Sequence, residues 1–568
     1  MIDAVEPERE EVRPWLVAII VLWAAAYLPE LAVRDLRGEE GRRAIPAREM
    51  LERGDYLLPT LFGDPYLNKP PLHYWMIGLI GAMRGGVDVW ATRVPSAVAA
   101  LSCGLLMMAF GKGRMPLAVR GTAALAALAT PILLDKGTQG EIDALLTAFV
   151  LAAWVMWWGE RRDNETSWRG WLATGGLLGM ATLCKGLGGP TQFYLGIATW
   201  LVWKGCAREL VSARHACALI LMAAPAVAWV AAVVYWRGVS LEAVTASWRG
   251  QSGLAAPPWV WLTFPYGRAY FLAHIVEMFE KIPAMSLPWC VLAAPAFVPR
   301  FAKKLPIDGD FRRFICLTIA ANFVVFLLLP TARPRYLMAA VLLVCPLAAV
   351  SVRGFAGVGT TRLLTEINRL PTLMVQGAVG LAVVGAIAAL KYTEQFETAL
   401  LLLGAAGAWL VLMGRLSRQL RRQGLMLAAA LTLAGLILVG RGVAANIALP
   451  ILAKRDEIRR ARALLPSIGD EVVYTTRRFP ERSEDWYEVF FHIALTLRGA
   501  ETSELLARAP CRALVTPGEA DELEQRAPGG CWREGVLPKL HDCSTSLVLV
   551  RIDSPTLVDR RQTSSAAR

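Results

Sequence analysis

Charge is what most of this chain lacks. Of its 568 residues 55% are hydrophobic, the mean hydropathy is +0.42, and many segments of ~20 residues carry no ionisable side chain, the length and character of bilayer-crossing helices. A soluble globular protein is thereby excluded. Metal-ligand spacing is missing too. The ten cysteines are scattered, seven of them (Cys103 to Cys345) in apolar stretches and three (Cys511, Cys531, Cys543) near the end, with no Cys-x-x-Cys or Cys/His pattern. One disulfide among the last three is expected if that region faces an oxidising compartment. There is no internal repeat. The net charge of +13 invites a nucleic-acid reading. In a polytopic protein, however, such a surplus collects in short cytoplasmic loops, so no nucleic-acid partner is expected.

The hydropathy pattern predicts thirteen spans, at 15–33, 92–111, 117–134, 142–158, 168–184, 190–204, 214–235, 284–300, 312–329, 336–352, 372–391, 398–414 and 425–445. The first is too long for a cleavable signal and reads as a retained anchor. Thirteen spans put the termini on opposite sides. With the N-terminus inside, the inner segments collect 23 Lys and Arg residues and the short outer connections five, the expected positive-inside bias. Residues 72–84 are too short to span and read as a juxtamembrane helix.

Two long outer connections interrupt this pattern. In 34–91, Arg42 to Arg53 reads as a short amphipathic helix on the membrane face. In 236–283 the Trp- and Pro-rich run around Trp248, Pro257, Pro258, Trp259 and Trp261 suits the headgroup level, as an anchor or a lid. Residues 446–553 form a soluble outer tail. Strands are predicted at Glu471–Thr476, Ala513–Thr516 and Ser546–Ile552, and helices at 454–465, 484–499 and 518–526, which makes a small α/β domain. The polar end from Ser554 reads as disordered. The division is therefore 1–445 with its outer loops, 446–553 and 554–568.

Against this apolar background a few outward-facing charges stand out: Glu39, Glu40, Lys69, Asp143, Lys185, Arg333 and Arg335. Ionised groups at a membrane are costly and are usually kept for a task. One alone is a snorkelling side chain; both signs gathered on one side suggest chemistry. Carboxylates serve as general bases for a hydroxyl nucleophile, and cations neutralise a departing phosphate. Glu481, Glu484 and Asp485 read as a solvated surface, and His73 and His274 as packed at the interface.

Glu39–Met50 (EEGRRAIPAREM), then Gly54–Pro59, then Tyr66–Leu72 (YLNKPPL), resembles the first outer loop of the bacterial aminoarabinose transferases of lipid A. Their wider family includes the protein O-mannosyltransferases and has the class C glycosyltransferase fold. Further matches follow in order at Glu141–Thr147, Thr182–Gly186 and Arg333–Leu337. The resemblance covers roughly residues 15–355. It implies an inverting transfer of a sugar from a polyprenyl-phosphate donor to a lipid or other envelope acceptor, on the periplasmic face of the inner membrane. It assigns the first-loop acid to Glu39, a Glu where the family usually has Asp, with Glu40 beside it. Lys69 and Lys185 would hold the donor phosphate, and Asp143 would position the acceptor or a basic partner. Arg333 and Arg335 flank Tyr336, with Arg335 favoured for the phosphate, and Arg42 joins the binding set. Glu39 and Asp143 offer a place for Mg²⁺, but two or three cations suffice for one phosphate, so a metal-independent reaction without cofactor is expected. A lipid-headgroup transporter or flippase is the alternative. Transporters, however, usually bind near the midplane on broken helices, whereas these charges lie at one surface.

Overall fold

The computed structural model describes residues 12–356 apart from 32–35, 37, 163–164, 253–266 and 330–331, and in the tail 472–476, 497–528, 530–537 and 547–553. The expected spans from 372 to 445, the boundary at 446, the 454–465 helix, Glu481 to Asp485 and the end from Ser554 lie outside these residues. The chain divides into two compact units.

The first unit is helical. After α1 (Val12–Tyr27) it takes most of α4 (Val89–Ala109), then α5 (Leu117–Leu128), α6 (Pro131–Gly137), α7 (Asp143–Gly159), α8 (Trp168–Lys185), α9 (Gly188–Lys204) and α10 (Ala213–Arg237). Among the described residues, α4 and α10 are each long and apolar enough to cross a membrane. The α5–α6 pair, bent by 57°, and the pair Pro334–Leu342 with Val344–Gly354, bent by 41°, raise the count to four if each is one span. The expected span at 117–134 is thus broken, at Pro131, which has no N–H to continue the helical ladder.

The 236–283 connection, expected as a loop, carries helices at Leu241–Ser252 and Gly267–Ser286. Glu277, Glu280 and Lys281 lower the hydropathy of the second helix and so conceal it in the sequence. The expected span at 284–300 appears as Trp289–Phe297 and a short turn after it.

Helices α7 and α8 form a hairpin, and its two ends are built differently. At the turn, β3 (Arg161–Arg162) pairs with β4 (Glu165–Thr166). There the Arg161 guanidinium lies 4.9 Å from the Trp157 ring centroid and 4.8 Å from that of Trp200, and meets Glu209 at 2.6 Å. Glu209 also accepts from Thr166 N at 2.9 Å and Trp171 Nε1 at 3.0 Å. These bonds satisfy a charge that burial alone would make costly. Along the hairpin's flank, Gly175 and Gly179 let α10 approach closely. A Cβ at Gly175 would stand 2.5 Å from the Ala218 carbonyl, the small-residue contact that brings membrane helices together.

The second unit combines residues 34–67, 74–92 and the tail. It contains α2 (Gly41–Arg53), the hairpin β1 (Thr60–Leu61) and β2 (Asp64–Pro65), and most of α3 (Leu72–Arg84). The tail adds a five-stranded sheet ordered β6-β5-β7-β9-β8, with β5 at Val473–Thr476, β6 at Leu497–Ala500, β7 at Cys511–Val515, β8 at Cys531–Leu537 and β9 at Leu547–Ile552. Strands β6, β5 and β7 are parallel; β9 is antiparallel to β7 and β8. All three expected tail strands are present within two residues of their predicted bounds, as is the helix Pro517–Arg526. β6 occupies the end of the stretch expected as helix 484–499. Cys511 and Cys531 are free thiols, and Cys543 lies outside the described residues.

Strand alternation gives this sheet two apolar faces. Val548, Val550 and Ile552 pack with Ala513, Val515, Leu505 and Leu523 on one side. On the other, Leu547, Leu549, Leu514 and Val473 share a single core with Ala44, Ile45, Met50, Leu61, Phe62, Tyr74 and Ile77. Residues 34–67 and 74–92, grouped with the spans in the sequence division, therefore have their core in common with the tail.

Glu49 fastens the small hairpin to α2 by accepting from Phe62 N at 2.8 Å, Gly63 N at 3.2 Å and the Thr60 hydroxyl. Replacing Glu49 with Ala strips these donors of their acceptor, a loss of about 1–3 kcal/mol. Amide exchange at Phe62 and Gly63 is expected to accelerate at least about tenfold, read by exchange mass spectrometry. Unchanged protection there would show that the clip is idle.

Candidate functional site

Three elements of the first unit converge at the open end of the α7–α8 hairpin. Asp143 begins α7 and Lys185 ends α8. Helix dipoles favour an anion at the first position and a cation at the second. The hairpin makes them neighbours, with Lys185 Nζ 2.5 Å from Asp143 Oδ1. The 3₁₀ turn Pro334–Leu337 brings Arg335 and Tyr336 to the same place. Arg335 Nη1 donates to Glu141 Oε2 at 3.1 Å, its Nε stands 4.0 Å from Asp143 Oδ2, and Lys185 Nζ lies 4.3 Å from the Tyr336 ring centroid.

The bend before α6 places Lys136 near that helix's end, where its Nζ lies 3.2 Å from Glu141 Oε1 and 3.2 Å from the exposed Asp135. The strand of chain between α6 and α7 is held in turn. The Glu141 carbonyl accepts from Ser96 Oγ at 2.8 Å, and the Gly140 carbonyl from His73 Nε2 at 3.2 Å. Glu141 and Asp143 are buried to 5% and 4% exposure. Burial lifts the Glu141 carboxyl above the ordinary carboxylate range, with Lys136 opposing it. Three cations thus face two buried carboxylates, with Asp135 at the rim. Such a cluster can take up an oxyanion and retain its own internal pairing.

The structure therefore brings Asp143, Lys185, Arg335 and Tyr336 together. Arg333, at the N-terminal edge of the same turn, is exposed, so of the two arginines it is Arg335 that joins the cluster. Lys69 lies half-buried in the same unit. Lys136 and Glu141 were missed as site residues. Glu141, two positions before Asp143 in the matched stretch Glu141–Thr147, was the available signal; Lys136 is one of the five Lys and Arg residues counted for the short outer connections. His73 and His274 are both buried and donate to backbone carbonyls, of Gly140 and of Phe326 at 3.3 Å.

Glu39, Glu40 and Arg42 belong to the second unit. Glu40 precedes α2 and is fully buried, its carbonyl accepting from Arg43 N and Ala44 N at 2.9 Å. The Glu39 side chain keeps 16% of its surface exposed and meets Arg43 Nη2 at 2.7 Å. Arg43 in turn donates from Nη1 to the Tyr74 hydroxyl at 3.3 Å. Burial raises the Tyr74 phenol, which stays protonated. Among the described residues no three His, Cys, Asp or Glu side chains gather into a metal-binding group.

The model of the dolichyl-phosphate-mannose-protein mannosyltransferase family matches residues 68–236. An undecaprenyl phosphate-alpha-4-amino-4-deoxy-L-arabinose arabinosyl transferase of Serratia proteamaculans is 30% identical over 186 residues, 32% of each chain. Its counterpart in Pseudomonas aeruginosa is 26% identical over 390 residues, 65% of each chain. The chain spans about a third of the length of the first curated relatives it matches. The crystal structure of ArnT from Cupriavidus metallidurans in the apo state has a TM-score of 0.66 at 17% identity, covering 95% of this chain and 98% of that one. The same protein bound to undecaprenyl phosphate has a TM-score of 0.62 at 17% identity, covering 95% and 97%. In part of its sequence this chain is similar to the aminoarabinose and mannosyl transferases, and in its fold to ArnT.

Proposed function

We propose that this chain is a polyprenyl-phosphate-sugar-dependent glycosyltransferase of the periplasmic face of a bacterial inner membrane, with a lipid or other envelope molecule as acceptor. The observation that carries the reading is the cluster of Lys136, Lys185 and Arg335 around two buried carboxylates at the end of apolar helices. A lipid phosphate presents the charge this arrangement can neutralise, while its hydrocarbon stays among apolar helices. The relatives' names, which pair undecaprenyl phosphate with an aminosugar, support the same donor class.

In the proposed reaction an acceptor hydroxyl attacks the anomeric carbon and gives up its proton to Glu39. The bond from that carbon to the phosphate oxygen breaks, and the configuration inverts. Polyprenyl phosphate leaves carrying the electron pair, its new charge met by Lys185 and Arg335. Asp143 and Glu141 hold those cations in place. Lys69, Arg42 and Tyr336 complete donor binding, and no metal ion takes part in a step. Purified protein in lipid nanodiscs, incubated with radiolabelled polyprenyl-phosphate sugar and an extract of envelope lipids, tests the proposal. Label is expected to move into a new acceptor band. In sealed vesicles, passage of labelled lipid with no new bond would assign the chain to transport instead.

A further inference from the structure

The cation beside the acidic turn, Arg43, has no part in the reaction as written, yet its setting is unusual for a helix-surface arginine. Glu39 and Arg43 are four residues apart, a spacing that gives exposed ion pairs worth only a few tenths of a kcal/mol. Here the Arg43 side chain is 4% exposed, and its two terminal nitrogens bond in different directions. Nη2 reaches back to Glu39 Oε2 at 2.7 Å, and Nη1 reaches across to the Tyr74 hydroxyl on α3 at 3.3 Å. Its Nε is buried without a hydrogen-bond partner.

Around it lies an apolar core in which α2, α3 and the tail sheet meet. A guanidinium in such surroundings costs several kcal/mol of desolvation, and an apolar side chain of similar volume often serves stability as well or better. Stability is therefore a weak account of this residue. What an arginine supplies here is geometry: a charge that no working pH removes, in a planar group whose two arms fix one object relative to another. The objects joined are the hydroxyl on α3 and the Glu39 carboxylate.

We infer that Arg43, held by Tyr74, is a positioning residue that orients the Glu39 carboxylate for proton transfer. This rests on the reading of Glu39 as the base. Loss of the orienting bond acts on the chemical step rather than on donor binding, because a displacement of about 1 Å in a reacting group costs on the order of 10²-fold in rate.

The test uses the full-length protein in nanodiscs, with turnover and donor KM measured for Arg43→Gln, Arg43→Lys, Tyr74→Phe, Glu39→Gln and the Glu39→Gln/Arg43→Gln double variant. Arg43→Gln is expected to lower kcat about a hundredfold with donor KM within about twofold. Arg43→Lys restores part of that loss, since the charge remains and the fork does not. Tyr74→Phe, which removes one oxygen and keeps the fold, lowers kcat about three- to tenfold. The double variant is no slower than Glu39→Gln alone, because Arg43 acts only through that carboxylate. A Tyr74→Phe protein with full kcat, or a double variant slower than Glu39→Gln by the full Arg43→Gln factor, overturns the inference. Full turnover in Glu39→Gln overturns instead the assignment of the base, so the two failures are distinct.

Discussion

Substituting Gln for Glu39 is expected to lower turnover by about a thousandfold, within the range of 10²–10⁴ that a positioned general base contributes, with the affinity for polyprenyl phosphate unchanged. The reason is chemical: an amide cannot take the hydroxyl proton, yet it keeps the size and polarity of the carboxylate. Glu39 is chosen over its neighbour on structural grounds. Glu40 is fully buried at the entry to α2, whereas Glu39 keeps part of its surface open and its Oε2 fixed by Arg43. Single-turnover transfer of labelled sugar, with donor binding measured in parallel, gives the answer. Full turnover in Glu39→Gln would move the base to another carboxylate.

The second large effect is expected at Arg335. Replacing it with Gln removes the group that ties Glu141 to Asp143 and leaves two buried carboxylates served by Lys136 and Lys185 alone. Affinity for polyprenyl phosphate is expected to fall about ten- to a hundredfold, the worth of one charged hydrogen bond of roughly 1.5–3 kcal/mol. Arg335→Lys recovers part of the affinity, since it keeps the charge and loses the fork. Titration of the nanodisc-embedded protein with polyprenyl phosphate, at low and at high salt, measures both. An Arg335→Gln protein that binds as tightly as the parent would remove Arg335 from the phosphate site. Arg333, exposed on the other side of Pro334, should be replaceable by Gln with less than about a twofold change.

What the sequence disclosed of this site follows from cost. Asp143, Lys185 and Arg335 stand out because a charge bounded by apolar helix is conspicuous, and helix ends put such charges at one level. Glu141 and Lys136 were within sight but unassigned. Their pairing depends on the sharp bend at Pro131 and on the anchoring of 138–142 by Ser96 and His73, which no local pattern encodes. The helix at Gly267–Ser286 was hidden for the opposite reason, since charges within it mimic a loop. Tail strands such as Leu547–Ile552 were plain from their branched, apolar residues. That one face of their sheet meets Ala44, Ile45 and Met50 was not, because those partners lie more than four hundred residues away in the chain.

That distance has a consequence in time. The turn bearing Glu39 leaves the ribosome long before β9, whose Leu547 and Leu549 share a core with Ala44, Ile45 and Met50 of α2. Proteins are built from the N-terminus at about 5–20 residues per second. For the better part of a minute at typical rates, the acidic turn of a nascent molecule waits for its support. Maturation of this loop is thus tied to synthesis of the tail, and a product released before β9 would still lack a settled acidic turn.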